Sequence, residues 1–129
     1  MLTKKINGIK YKIENSKDVI QSHLLKNKQW NEKIFSKLLK YIKEKNLKHF
    51  LNIGCHIGTM CLPISLHIDK VTAIEAYPPT YSHLNSNIKL NNLKNIDTLN
   101  IAVGHKNENI FFMDNDKTCQ IEKKKKNKK

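Results

Sequence analysis

The chain has 129 residues, 39% of them hydrophobic, and a formal charge of +13. That is enough for one domain with a modest core, and no stretch approaches the roughly 20 apolar residues of a membrane span. The opening MLTKKINGIKYKI lacks the apolar run of a secretory signal. Three cysteines, Cys55, Cys61 and Cys119, are an odd number. They read as reduced thiols and point to a cytoplasmic setting with no membrane partner. All 24 basic residues are lysine, and six of them stand in the closing KKKKNKK, which leaves +7 on the rest. Arginine, which reads phosphate and guanine bidentately, is missing, so charge supports nonspecific attraction to polyanions through the lysine tail and not a dedicated nucleic-acid surface.

In chain order, KKINGIKYKI predicts a β-hairpin, because Asn7-Gly8 favours a type I′ turn between alternating segments. A helical region follows, with Ser16 as its cap and Ile20 and Leu24 on one face. Trp30, Ile34, Leu38 and Ile42 recur every four residues among lysines. They predict a helix over 31–45 whose apolar stripe packs in the core. Phe50 to Ile53 reads as a buried strand, and Thr59 to His67 as a helix with Pro63 in its first turn. Val71 to Ile74 is a second buried strand, ending at Glu75. The helix of YPPTYSHLNSNIKLNNL starts at Pro78-Pro79 and ends near Asn91-Asn92, with Tyr81, Leu84 and Ile88 toward the core. Ile96 to Val103 and NENIFFM predict two further strands. From Lys48 onward the alternation is strand, helix, strand, helix, strand. It predicts an α/β fold with a parallel sheet and right-handed crossovers.

Gly54 and Gly58 sit between the first strand of that alternation and its helix, where open α/β sheets bind ligands. Gly54 suits a tight turn, Gly58 a close helix approach, and the backbone N–H groups between them can face a polar ligand. Glu75 stands at the carboxyl tip of the next strand, 21 residues after Gly54. A carboxylate there can accept both hydroxyls of a ribose. The G-x-x-x-G spacing matches neither the dinucleotide nor the P-loop fingerprint.

Four motifs in order carry a resemblance: Asn52-Ile53-Gly54 with Gly58-Thr59, then Ala73-Ile74-Glu75, then Asn87 with Leu90-Asn91-Asn92, then Ala102-Val103-Gly104. Over about residues 48–113 the sequence resembles the cofactor-binding half of the FkbM-type methyltransferases, enzymes with a Rossmann-like fold that use S-adenosyl-L-methionine. With the β-hairpin over 1–15 and a lysine-rich tail over 117–129 that composition predicts to be disordered, the resemblance implies a partial methyltransferase domain over 16–116. It also implies that Gly54, Cys55 and Gly58, with Asn52 before them, hold the methionine part of the cofactor. Glu75 would bind the ribose, Ala76 and Tyr77 would border the adenosine, and Ile101 and Ala102, at the end of the next strand, would lie against the adenine.

The sequence departs from the family pattern in four places. Asn52 replaces an aspartate, which removes a charge and weakens binding by about 1–2 kcal/mol. Cys55-His56 replaces Ala-Asn, and Ala76-Tyr77 replaces Glu-Pro. The family's second half, with its K-x-D-x-E-G-like motif, has no counterpart. Two readings follow: a methyltransferase acting on a small-molecule or glycan hydroxyl, or an inactive truncated remnant serving as a binding module. An incomplete sheet leaves an open edge, so a homodimer is one expected outcome. The catalytic base is not assigned. His56 reads first as a polar loop residue, and Cys61 as a small buried apolar one. Cys55, His56, Cys61 and His67 lack the spacing of a structural zinc site, so no metal is expected.

Overall fold

The computed structural model describes residues 1–115 and 118–123. Strands β1 (Thr3–Ile6) and β2 (Ile9–Lys12) form an antiparallel hairpin. Its turn residues Asn7 and Gly8 both have positive φ, 48° and 84°, as a type I′ turn requires. Helix α1 (Val19–Leu25) is capped by Asp18 and not by Ser16: an Asp18 carboxylate oxygen accepts from Gln21 N at 2.8 Å. Ser16 lies too far upstream to reach the first turn's free N–H groups.

Helix α2 (Glu32–Lys45) buries Phe35 and Ile42, with Leu38 and Leu39 packed beside them. It ends where Asn46 turns left-handed, with Leu47 N donating back to Ile42 O at 3.1 Å. The predicted stripe is only half core. Ile34 is 54% exposed and Trp30 half-buried. A strict four-residue spacing drifts around a helix of 3.6 residues per turn, so the stripe's first members leave the core.

Strands β3 (His49–Ile53), β4 (Lys70–Ile74) and β5 (Ile96–Leu99) form a parallel sheet in the order β3-β4-β5. Helices α3 (Cys61–Ser65) and α4 (Pro78–Leu90) connect them. The fold is thus α/β, with a parallel three-stranded sheet alternating with helices and an N-terminal hairpin. Helix α3 is shorter than predicted, with Pro63 at its third residue, where the missing N–H leaves no bond unmade. Tyr11, Leu24, Leu62, Ile64, Val71, Ala73 and Leu84 are fully buried and form the centre of the core.

The hairpin is fastened to α4 by side chains. Asn87 Oδ1 accepts from Lys12 N at 2.8 Å, Asn91 Oδ1 accepts from Lys10 N at 2.8 Å, and a His83 ring nitrogen meets Lys12 O at 2.7 Å. They satisfy backbone groups on a strand that has no sheet neighbour on that side.

Two expectations change beyond this point. The strand starting at Ile96 ends at Leu99, so Ile101 and Ala102 follow it in a segment, 100–109, with no helix or strand. Polar Asn100 ends the apolar alternation, and its side chain is drawn to the carbonyls of Glu75 and Ala76. Strands β6 (Ile110–Asn115) and β7 (Thr118–Lys123) then pair antiparallel. Residues 118–123 of the predicted tail thus form a strand. The rest of that tail, 124–129, lies outside the described residues. Among the described residues, no helix is long and apolar enough to cross a membrane.

Candidate functional site

The carboxyl ends of β3 and β4 define the site. The chain leaves β3 at Gly54, whose φ of +75° favours glycine, and Gly54 N and Cys55 N both donate to Ile74 O at 2.8 and 3.1 Å. A Cβ on Gly54 would meet nothing within 4 Å. Gly58 is the opposite case. Its φ is +96°, and a Cβ there would lie 2.0 Å from Leu62 Cδ1 and 2.9 Å from Leu84 Cδ1. One glycine keeps the turn open, and the other lets the loop press against α3 and α4.

Two buried amides hold the loop from behind. Asn87 donates to Ile57 O at 3.0 Å, and Gln29 donates to Thr59 O at 2.7 Å while accepting from Asn7 in the hairpin turn at 2.8 Å. The hairpin, α4 and the loop are therefore one hydrogen-bonded unit. Sequence reasoning missed Gln29, whose only signal was a polar residue beside Trp30.

Glu75 stands at the centre, half-buried. One carboxylate oxygen accepts from His56 N at 2.9 Å, and the other from Tyr77 N at 3.2 Å. Each oxygen keeps a further lone-pair site. The carboxylate thus braces the glycine loop and still offers two acceptors.

A concavity lies on each side of Glu75. The larger, about 720 Å³, is lined by Ala76, Pro78, Asn100, Ile101, Ala102 and Phe112 among others, a size ordinary for a cofactor pocket. Tyr77 lies at its border, its ring 5.2 Å from that of Phe112. The smaller, about 260 Å³, lies between α2 and the glycine loop, and its walls include Trp30, Ile34, Asn52, Gly54, Cys55 and His56. The sequence-predicted residues therefore divide: Asn52, Gly54 and Cys55 line the smaller space, and Ala76, Ile101 and Ala102 the larger. Glu75 and Tyr77 stand between them, and Gly58 packs behind the loop. Trp30 and Ile34, expected in the core, are walls of the smaller space.

Two of the residues lining that smaller space each carry a buried polar atom with no partner among the described residues, Asn52 Oδ1 and His56 Nδ1. His56 holds a left-handed φ of +52°, with Nε2 4.0 Å from a carboxylate oxygen of Asp18. Burial holds its imidazole below the usual histidine range, against the pull of Asp18 and Glu75. The Cys61 thiol is pushed up by its hydrogen bond with Cys55 and by burial, so it stays protonated and acts as apolar filler. Among the described residues, no group of three or more His, Cys, Asp or Glu side chains could hold a metal ion.

The structure is similar to that of a suggested transferase from Pyrococcus horikoshii, with a TM-score of 0.58 and 28% identity over 78% of this chain and 36% of that one. It also matches an S-adenosylmethionine-dependent methyltransferase from Clostridium acetobutylicum (TM-score 0.48, 16% identity, 62% of this chain and 34% of that one). The YcgJ protein of Bacillus subtilis matches with a TM-score of 0.45 and 15% identity, over 50% of this chain and 28% of that one. This chain thus spans about a third of the length of the solved proteins it matches. No family model matches the sequence, and no curated protein matches it.

Proposed function

We propose that this chain is the cofactor-binding portion of an S-adenosylmethionine-dependent methyltransferase of the FkbM type, acting on an oxygen acceptor in a cytoplasmic setting. The observation that carries this reading is the Glu75 carboxylate. It is fixed by two backbone N–H groups at the carboxyl tip of β4, between an open glycine turn and a 720 Å³ pocket, with acceptor capacity to spare. That arrangement suits a nucleoside with two adjacent hydroxyls. Ala76, Tyr77, Ile101 and Ala102 suit the flat base, and the unpartnered Asn52 Oδ1 suits a donor such as an ammonium group. When bound, the cofactor would supply an electrophilic methyl group. The chain's own residues orient it, and such positioning is where much of the rate of a transfer arises.

A second reading is a binding module that holds the cofactor and transfers nothing. Calorimetric titration of the folded chain with S-adenosylmethionine, beside Glu75→Ala, tests what both readings share. Saturable binding to the parent chain, weakened at least about tenfold in the variant, supports the pocket. Absence of binding by a chain shown to be folded overturns it. Methyl transfer to any hydroxyl acceptor then separates enzyme from module.

A further inference from the structure

The glycine loop folds back on itself between β3 and α3. Gly58 N donates to Cys55 O at 3.0 Å, and Leu62 N donates to Gly58 O at 3.0 Å. His56 and Gly58, left-handed at φ +52° and +96°, reverse the chain within those turns. Cys61 is thereby returned to Cys55, and the two thiols share a hydrogen bond in which Cys61 keeps the proton. Both are free and buried, Cys61 completely and Cys55 at 4% exposure. The other contact of the Cys55 sulfur, to His56 O at 3.9 Å, is long. Cys55, and not Cys61, also borders the smaller space. One thiol of the pair is therefore open to a small solute, and the other stands behind it.

We infer that Cys55 and Cys61 are a redox pair: a hydroperoxide oxidises Cys55, and Cys61 then closes a disulfide across the glycine loop. Hydrogen peroxide is close to water in size, so it suits a thiol reached only through a small space. The Cys55 sulfur takes one peroxide oxygen as the O–O bond breaks, which gives a sulfenic acid and one water. The Cys61 sulfur next attacks the Cys55 sulfur. The S–O bond breaks, and the Cys61 proton leaves with that oxygen as a second water. Two thiols give up two electrons and two protons, and the peroxide is reduced to two waters. The proton is already in place for the second step, because the Cys61 S–H is directed at Cys55. A disulfide holds its sulfurs about 2 Å apart, so the pair draws together from hydrogen-bond contact. The crosslink closes residues 55–61 into a ring with Gly58 at its centre. Such a closure restricts the unfolded chain, so oxidation clamps the loop and a dithiol releases it. Nothing in this inference depends on the cofactor.

Hydrogen peroxide added to the folded full chain tests it. Remaining thiols are trapped with N-ethylmaleimide in denaturant, and the digest is read by mass. Trypsin leaves both cysteines on one peptide, 49–70. The expected peptide takes up no maleimide, is lighter than the dithiol form by two hydrogens, and takes up two maleimides after reduction. The oxidised chain should unfold at a higher urea concentration than the reduced chain, and dithiothreitol should restore the reduced midpoint. Cys61→Ser should stop at a sulfenic acid on Cys55, trapped by dimedone, whereas Cys55→Ser should leave Cys61 a free thiol. The main result is read on the unsubstituted chain, so it stands whether or not either variant folds. Thiols that stay free in the folded chain overturn the proposal. So does a disulfide that forms only in denaturant or that joins Cys119, or a crosslinked chain that unfolds at lower urea. Oxidation of Cys61 in the Cys55→Ser chain overturns the order of attack.

Discussion

The two sides of Glu75 are built differently. On the glycine-loop side, Cys55, Ile57, Gly58 and Thr59 are buried, and the backbone is bonded to β4, to Glu75, to α4 and to Gln29. On the other side, residues 100–109 form no helix or strand and are exposed throughout, although they line the larger pocket. The loop side is preorganised before any ligand arrives. The far side is irregular and exposed, held at its start by Asn100 on the carbonyls of Glu75 and Ala76. Preorganised groups bind at lower entropic cost, which makes the loop side the anchor of the site.

Substitutions should expose this asymmetry. The largest effect is expected for Gly58→Ala, where a Cβ at positive φ collides with Leu62 and Leu84. We expect a loss of about 3 kcal/mol or more in urea unfolding, and a loss below 1 kcal/mol would mean that the loop is not close-packed. Asn87→Ala comes next. It strands Lys12 N and Ile57 O together, and denaturant midpoints should report about 2 kcal/mol.

A smaller, pH-dependent effect belongs to His56. Its folded-state pKa is depressed, chiefly by burial, with Asp18 and Glu75 opposing and His83 assisting. The unfolded chain therefore takes up the proton first as pH falls below about 6.5. Stability from this group is fully present above that value and is lost on acidification, until the folded imidazole also protonates. Thermal unfolding followed between pH 7.5 and 5 should show a decline that His56→Asn flattens. An unchanged decline would place the titrating group elsewhere.

The smallest effect is expected on the open side. Ile101→Ser should change stability by no more than about 0.5 kcal/mol. If it costs as much as Asn87→Ala, the segment after β5 is packed after all and the contrast fails.

Much of the frame was legible in the sequence. Asn7-Gly8 marked the hairpin, short apolar runs marked β3 and β4, and Pro78-Pro79 marked the start of α4, because each is a local signal with a local cause; the burial expected of β3 does not hold, since Leu51 and Ile53 are each 54% exposed. The opposed uses of Gly54 and Gly58 were legible too, since a strand-to-helix turn limits what glycine can be doing. Less legible was whatever depended on a distant partner. Trp30 and Ile34 read as core from their spacing and became pocket walls. Asn100 ended β5 early by reaching for carbonyls 24 and 25 residues upstream.

The sequence by itself determined the alternation of strands and helices and the placement of two glycines and a glutamate at strand ends. Hydrophobic period and backbone sterics act over a few residues and need no knowledge of the whole. Only the tertiary structure decided that Gln29 and Asn87 lock the loop, that Glu75 is shared between His56 and Tyr77, and that Trp30 and Ile34 line the smaller space. Those facts arise from contacts between segments far apart in the chain. Burial and hydrogen-bond partners there are set by the packing of the whole domain, which no local pattern encodes.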